Sequence, residues 1–187
     1  EKLEPEGYTS YDLALDNRDA LAGDIYKNAE NYYKSVFEHA GGSISFYPDK
    51  NGAAPTAELY HRETRSISVQ DVKEFCKKHG ITENVFFISA FGITLGKYNF
   101  KKDAVFTTIY HGRNDSRLSE TVGMLVKTLP VFCDFSGTAK DCLSGVQKQL
   151  IDSMNNDIYP FSQISHEFDI KADAMAVSYT HLRAHET

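Results

Sequence analysis

The chain has 187 residues, a length that suits one compact domain or a piece of a larger one. Hydrophobic residues make up 41% and aromatic residues 12% of it, which argues against a disordered chain because such a sequence can bury enough apolar surface to fold. With 20 basic against 26 acidic side chains the net charge is −6 and no basic stripe is present, so we expect no nucleic-acid partner.

Neither a membrane span nor a disulfide framework is visible. No stretch approaches the roughly 20 apolar residues of a spanning helix, and the first residues do not resemble a signal peptide, so we expect no membrane partner and a cytoplasmic location. The three cysteines, Cys76, Cys133 and Cys142, are odd in number and widely spaced, which predicts reduced thiols. No basic cluster flanks any of them, which favours a small buried hydrophobic residue over a nucleophile.

The first half of the chain predicts helices separated by one long loop. Apolar residues spaced by three and four after Asp16 and Asn17 predict an amphipathic helix that ends at Gly41 and Gly42. Residues 43–56 have the composition of a loop, and residues 58–67 alternate loosely as an exposed strand does. Two helices follow: the first is capped by Ser68 and ends at Gly80, and the second is opened by Thr82.

The second half alternates strands and helices. The helix after Thr82 is apolar nearly all round between residues 85 and 95, which predicts burial between other layers. Asp103–Tyr110 is predicted to be a strand covered on both sides, and Val122–Phe135 a strand with an edge or a bulge at Pro130. Thr138 begins a last helix whose inner stripe is apolar. This alternation predicts an α/β fold built as a two-layer sandwich.

The last eleven residues, 177–187, resemble the translation of a sequencing-library adapter, so we exclude them from the fold. His181 and His185 have the spacing of two zinc ligands on one helical face, but neither a third ligand nor a general-base Glu lies between them. We therefore expect no metal site, a gene truncated near Met175, and a polypeptide that is a fragment.

The usual catalytic constellations are absent from the sequence: no phosphate-binding loop, dinucleotide turn, C-x-x-C pair or nucleophile elbow occurs. His111 follows a buried strand at a glycine turn, where it acts either as a base or, as the pattern favours, as a hydrogen-bonding partner of the turn. Arg113 either binds an anionic group or, as we favour, packs the turn through local carbonyls or a carboxylate.

Several segments, in order, resemble motifs of the condensation domains of nonribosomal peptide synthetases. Val122–Pro130 (VGMLVKTLP) is similar to the motif [IV]-G-x-F-V-N-T-L-P. The other segments, each similar to a motif of that family, are Tyr8–Ala14, Glu30–Tyr33, Thr82–Leu95, Asp103–Arg113 and Asn156–Phe161. Together they cover nearly all of residues 8 to 168, so the resemblance extends over most of the chain.

The resemblance implies the C-terminal lobe of a chloramphenicol-acetyltransferase-like fold, with residues 1–176 a partial domain that ends before the family's next strand. It implies amide-bond formation between aminoacyl and peptidyl thioesters held on donor and acceptor carrier domains by 4'-phosphopantetheine, with no cofactor bound directly. Further partners would be the N-terminal lobe and an adjacent adenylation domain. The family's H-H-x-x-x-D-G motif does not occur in the sequence, so we expect the catalytic histidine upstream of residue 1 and a fragment that is inactive alone.

By motif position, the residues expected to line the tunnel or to organise the lobe are His111, Arg113, Lys127 and Thr128. Lys127 stands where the family has Asn, and it is either a substrate contact or a surface lysine with an apolar stem. Asn156 and Ser162 replace the usual His and Glu of the last motif. The alternatives are a catalytically silent docking module and a related acyltransferase that uses substrates without carriers.

Overall fold

The structure is a computed structural model that describes residues 7–38, 40, 67–170 and 172–177. Its helices are α1 (Ser10–Leu21), α2 (Asp24–Phe37), α3 (Val69–His79), α4 (Glu83–Tyr98), α5 (Ala139–Asn155) and α6 (Phe161–Glu167). Its strands are β1 (Asp103–Tyr110), β2 (Lys127–Asp134) and β3 (Met175–Ala176). The predicted loop 43–56, nearly all of the predicted strand 58–67, and the tail except Val177 lie outside the described residues.

The single helix predicted to begin at Asp16 and Asn17 is wrong, because two helices occupy this region. Thr9 caps α1 by a reciprocal capping box with Asp12, so α1 begins before Asp16. The chain then breaks at Gly23, which has extended backbone and precedes α2. No residue of α1 is buried, whereas α2 buries one face. The apolar spacing therefore predicts the buried face of α2 correctly. It does not show the break at Gly23, because the spacing continues across that residue.

The caps predicted for the next helices are confirmed. The Ser68 side chain accepts from the Asp71 N–H at the start of α3, and Gly80 closes that helix in the left-handed conformation with φ of 65°. The Thr82 side chain likewise accepts from the Val85 N–H at the start of α4. Local hydrogen bonds of this kind depend only on neighbouring residues, which is why they were predictable.

Helix α4 is not buried between layers as predicted, because one side remains open. The side chain of Phe87 is 45% exposed, whereas Ile88 is buried. On the buried side, small residues allow α4 to approach the sheet: a Cβ at Gly92 would lie 2.7 Å from Cys133. The apolar composition of α4 thus reflects one packed face and one face left uncovered by the described residues.

The three strands form one sheet in the order β2-β1-β3. β1 and β2 are antiparallel, with Tyr110 opposite Lys127, and β3 lies parallel to β1. The strand predicted from Val122 begins only at Lys127, and the short strand β3 was not predicted. Among the described residues β2 is one of the two outer strands of this sheet, in agreement with the edge position indicated by Pro130.

The position of Pro130 follows from hydrogen bonding at the outer edge of β2. The Phe132 N–H points away from β1 and donates to Gln149 Oε1 on α5 at 3.0 Å. Because backbone groups alternate in direction along a strand, Pro130 faces the same outer edge. A residue without an N–H therefore interrupts no bond between β1 and β2.

The α/β prediction is confirmed, and helices cover both faces of the sheet. One core joins α4 and α5 to the sheet face that carries Ala104, Phe106, Val131 and Cys133. The second core joins α2 and α6 to the opposite face, which carries Val105. None of the helices in the described ranges is long and apolar enough to cross a membrane.

Candidate functional site

A groove runs along α1, and we define it by two adjoining cavities. The first has a volume of about 550 Å³ and is lined by α1, the turn after β1, the residues leading into β2, and the end of α5. The second, of about 500 Å³, continues past the start of β2 towards Phe161. Asn17, Val126, Lys127 and Asp157 line both cavities, so these residues form the middle of the groove.

Four motifs that are far apart in the sequence meet at this groove, and the Asp103–Arg113 motif contributes Gly112. Tyr8 and Leu13 come from the first motif, residues 124–128 from the Val122–Pro130 motif, and residues 157–161 from the last. The Thr121 hydroxyl donates to the Tyr8 carbonyl at 2.7 Å, which ties the first segment to the second. The folded chain therefore brings together at one groove four of the six segments that resemble family motifs.

Lys127 lies at the middle of the groove as half of an ion pair. Its Nζ is 2.9 Å from Asp157 Oδ1 and donates to the Asp157 backbone carbonyl at 3.2 Å. The two side chains are 31% and 21% exposed, so neither is fully in solvent. The Lys127 ammonium is thus held by the last motif, and the pair joins the two walls of the groove. Thr128, the next residue on β2, lines the second cavity.

His111 is exposed and bonded to its own turn. Its Nδ1 accepts from the Arg113 N–H at 3.0 Å, and its ring lies 4.6 Å from that of Tyr110. His111 is not among the residues that line the two cavities, although the adjacent Gly112 is. The structure therefore gives His111 the turn-stabilising contact and does not bring it together with Lys127 and Thr128.

Arg113 packs the following loop. Its Nη1 donates to the carbonyls of Leu118 and Thr121, the second at 3.1 Å. Both acceptors are backbone groups of the loop that leads into the Val122–Pro130 motif. The guanidinium thus holds that loop in place through local carbonyls, and Arg113 does not line either cavity.

Gly112 fixes how closely the turn approaches the same loop. Its φ is 69°, and a Cβ there would lie 1.9 Å from the Leu125 carbonyl oxygen. An L side chain is strained at this positive φ, and its Cβ would collide with the Leu125 backbone. Only glycine allows the wall of the groove to form at this point.

A cluster of polar side chains that was not predicted lines the first cavity: Tyr8, Asp16, Asp115 and Arg117. The Tyr8 hydroxyl donates to Asp16 Oδ2 at 2.6 Å, and the Arg117 guanidinium lies 4.5 Å above the Tyr8 ring. Arg117 also pairs with Asp115 at 2.6 Å and with Asp16 at 3.2 Å. The hydrogen bond to Asp16 raises the pKa of Tyr8, and the hydrogen bond from Arg117 lowers the pKa of Asp115. The signal in the sequence is the tyrosine of the first motif, whereas Asp16 is marked there only as preceding the predicted helix.

The charged side chains that line the groove are paired. They and Tyr8 are engaged with one another, in the cluster around Arg117 or in the Lys127–Asp157 pair. No histidine or cysteine of the described ranges lines the two cavities. Across the same ranges, no three side chains of His, Cys, Asp or Glu lie together as a metal site requires.

Residues 2–180 match the family model of the condensation domain. The chain belongs to the condensation domain family. The nonribosomal peptide synthetase sidC of Arthroderma benhamiae is 30% identical over 135 residues, which are 71% of this chain and 3% of that protein. Bacitracin synthase 2 of Bacillus licheniformis is 24% identical over 163 residues, 83% of this chain and 6% of that protein.

The fold is also that of a solved condensation domain. The first condensation domain of the calcium-dependent antibiotic synthetase, in complex with a substrate analogue, superposes with a TM-score of 0.71 at 13% identity. The match covers 96% of this chain and 42% of the solved one. The resemblance in fold predicted from the motifs, that of a chloramphenicol-acetyltransferase-like condensation domain, is therefore confirmed, and the chain spans less than half of such a domain.

Proposed function

We propose that this chain is part of a condensation domain that forms amide bonds between aminoacyl and peptidyl thioesters held on carrier proteins. In that reaction the acceptor amine attacks the donor thioester carbonyl and the carbon–sulfur bond breaks. The amine loses a proton, and the departing thiolate gains one to leave as a thiol. The observation that carries the proposal is the groove, because four segments that resemble motifs of the condensation family line it.

In this proposal the groove is one wall of the tunnel in which the two tethered substrates meet. Tethering both reactants in one channel gives them a high effective concentration. The wall then contributes by holding the two substrates in position and by excluding water. Lys127 and Thr128 would line the tunnel, whereas His111 and Arg113 would organise the loop behind it. The paired state of the groove's titratable side chains supports a wall without a general base.

The partners follow from the same proposal. Donor and acceptor carrier domains would each present a thioester on 4'-phosphopantetheine, and an adenylation domain would act beside them. The N-terminal lobe would supply the opposite wall and the histidine of the H-H-x-x-x-D-G motif, which the sequence lacks. This chain alone would then be inactive, with residues 1–176 belonging to the domain and residues 177–187 to an adapter-derived tail.

The test compares this chain with the whole domain, completed from the genomic DNA of its source on both the upstream and the downstream side. Carrier proteins loaded with donor and acceptor aminoacyl groups are incubated with each, and the products are identified by mass spectrometry. We expect a peptidyl thioester on the acceptor carrier only with the completed domain. Product from this chain alone would contradict the expected inactivity.

Two outcomes of this test would favour the alternatives that the sequence left open. An upstream H-H-x-x-x-D-G motif that is degenerate, with no product, would favour a silent docking module. Product from free amines and free acyl thioesters, without carriers, would favour the related acyltransferases. A genomic sequence that continues through residues 177–187 unchanged would contradict the adapter assignment.

A further inference from the structure

Two thiols from different elements lie in contact inside the protein. Cys133 is on β2 and Cys142 is in the first turn of α5, and their Sγ atoms are 3.5 Å apart. Both are buried, with exposures of 0% and 3%. A disulfide requires the sulfur atoms to approach to about 2.05 Å, so the gap between them has to close by about 1.5 Å.

The two thiols differ in access from outside. Cys142 lines a cavity of about 420 Å³ together with Asp134, Gly137 and Gly145, whereas Cys133 does not. A Cβ built on Gly145 would meet no atom within 4 Å, so space is open beside α5 at this point. A small oxidant entering the cavity therefore reaches Cys142 first, and Cys133 lies behind it.

The surroundings also favour the thiolate at Cys142. It is in the first turn of α5, where the partial positive charge of the helix N-terminus stabilises an anion. The hydrogen bond with Cys133 lowers the pKa of Cys142, although burial and Asp134 act against this. The same hydrogen bond and burial raise the pKa of Cys133, so the proton stays on that sulfur.

We propose that Cys142 and Cys133 are a peroxide-reactive pair in which Cys142 is oxidised and Cys133 then closes a disulfide. The Cys142 thiolate attacks hydrogen peroxide, the oxygen–oxygen bond breaks, and sulfenic acid and hydroxide form. The Cys133 sulfur then displaces the sulfenic hydroxyl, so two thiols and one peroxide yield one disulfide and two waters. The site is a reversible modification site, because thiol reductants return both cysteines. It does not depend on the proposed condensation activity.

The experiment treats the reduced full chain with hydrogen peroxide, blocks free thiols with N-ethylmaleimide, and maps peptides by mass spectrometry. We expect two thiols to be lost, a peptide linking Cys133 to Cys142, and recovery of both thiols with dithiothreitol. The Cys76→Ala variant is the matched control and keeps the linkage. In Cys133→Ala the reaction stops at a sulfenic acid on Cys142, which dimedone traps, and in Cys142→Ala Cys133 stays reduced.

A disulfide that involves Cys76, a linkage between two chains, or maleimide labelling of both Cys133 and Cys142 after peroxide treatment would each overturn the proposal. The rate of closure provides a measurement that needs no variant to fold. We expect the Cys133–Cys142 linkage to form faster in the native protein than in the same chain unfolded in urea. Equal rates in the two states would show that the native contact contributes nothing.

Discussion

Replacing Gly112 by alanine tests the close packing between the turn after β1 and the wall of the groove. The backbone at Gly112 has φ of 69°, where an L side chain costs about 1 kcal/mol or more. The new Cβ would lie 1.9 Å from the Leu125 carbonyl oxygen, and relieving this contact displaces backbone. Overpacking of that kind costs about 1–3 kcal/mol, so we expect Gly112→Ala to lower the free energy of unfolding by about 2–4 kcal/mol.

Two other glycines separate strain from collision. Gly80 has φ of 65° but no atom within 4 Å of a Cβ, so Gly80→Ala carries the conformational cost alone, about 1 kcal/mol. Gly145 lies inside α5 with open space around it, so Gly145→Ala is expected to stabilise the protein by about 0.5–1 kcal/mol.

The assay is urea unfolding followed by far-ultraviolet circular dichroism, because the chain has no Trp to report by fluorescence. The expected order of stability is Gly145→Ala, wild type, Gly80→Ala and Gly112→Ala. The reasoning is refuted if Gly112→Ala is no less stable than Gly80→Ala, since the contact with Leu125 would then carry no cost.

Three further predictions concern polar contacts. Thr138→Ala removes the cap of α5 and is expected to cost about 1 kcal/mol at neutral pH by urea unfolding. The Thr138 hydrogen bonds lower the pKa of Asp141 below 3.8, so their stabilisation is present above that pH and is lost as the pH falls through the lower folded value. The difference between Thr138→Ala and wild type should narrow in acid, and a constant difference would contradict this. Burial raises the pKa of Tyr32 from 10.0 to about 12, so the uncharged side chain stabilises the folded state. This contribution is fully present below pH 10 and declines as the pH rises towards 12. Tyr32→Phe should therefore lose less stability than wild type over that alkaline interval, and parallel profiles would argue against the assignment. A double-mutant cycle with Lys127→Met and Asp157→Asn should give a coupling of about 0.5–1 kcal/mol, and a coupling of zero would show that the pair does not join the walls.

The features that were predictable from the sequence depend on neighbouring residues. The caps at Ser68, Thr82 and Thr138 need only a side chain and an N–H three residues later, and all three form. The strand β1 was also predicted with the observed bounds, because a run of β-branched and aromatic residues signals a strand covered on both faces. Local chemistry and burial pattern therefore fixed much of the α/β framework.

What the sequence did not predict depends on contacts between distant residues. The Lys127–Asp157 pair spans 30 positions, and the hydrogen bond from Thr121 to Tyr8 spans 113. The break at Gly23 was missed because the apolar spacing continues through it, and the exposed side of α4 was missed because composition does not say which neighbours are present. The approach of Cys133 to Cys142 likewise follows from packing of α5 on β2.

The outer edge of β2 has a consequence for how this sheet can be enlarged. Pro130 offers no donor there, and the N–H of Phe132 is already taken by Gln149. A strand arriving from another molecule would therefore find no free N–H donor at these two positions, which disfavours templated addition along that side. Lengthening of the sheet by another segment is thereby directed to the side of Met175–Ala176, where β3 is already aligned parallel to β1.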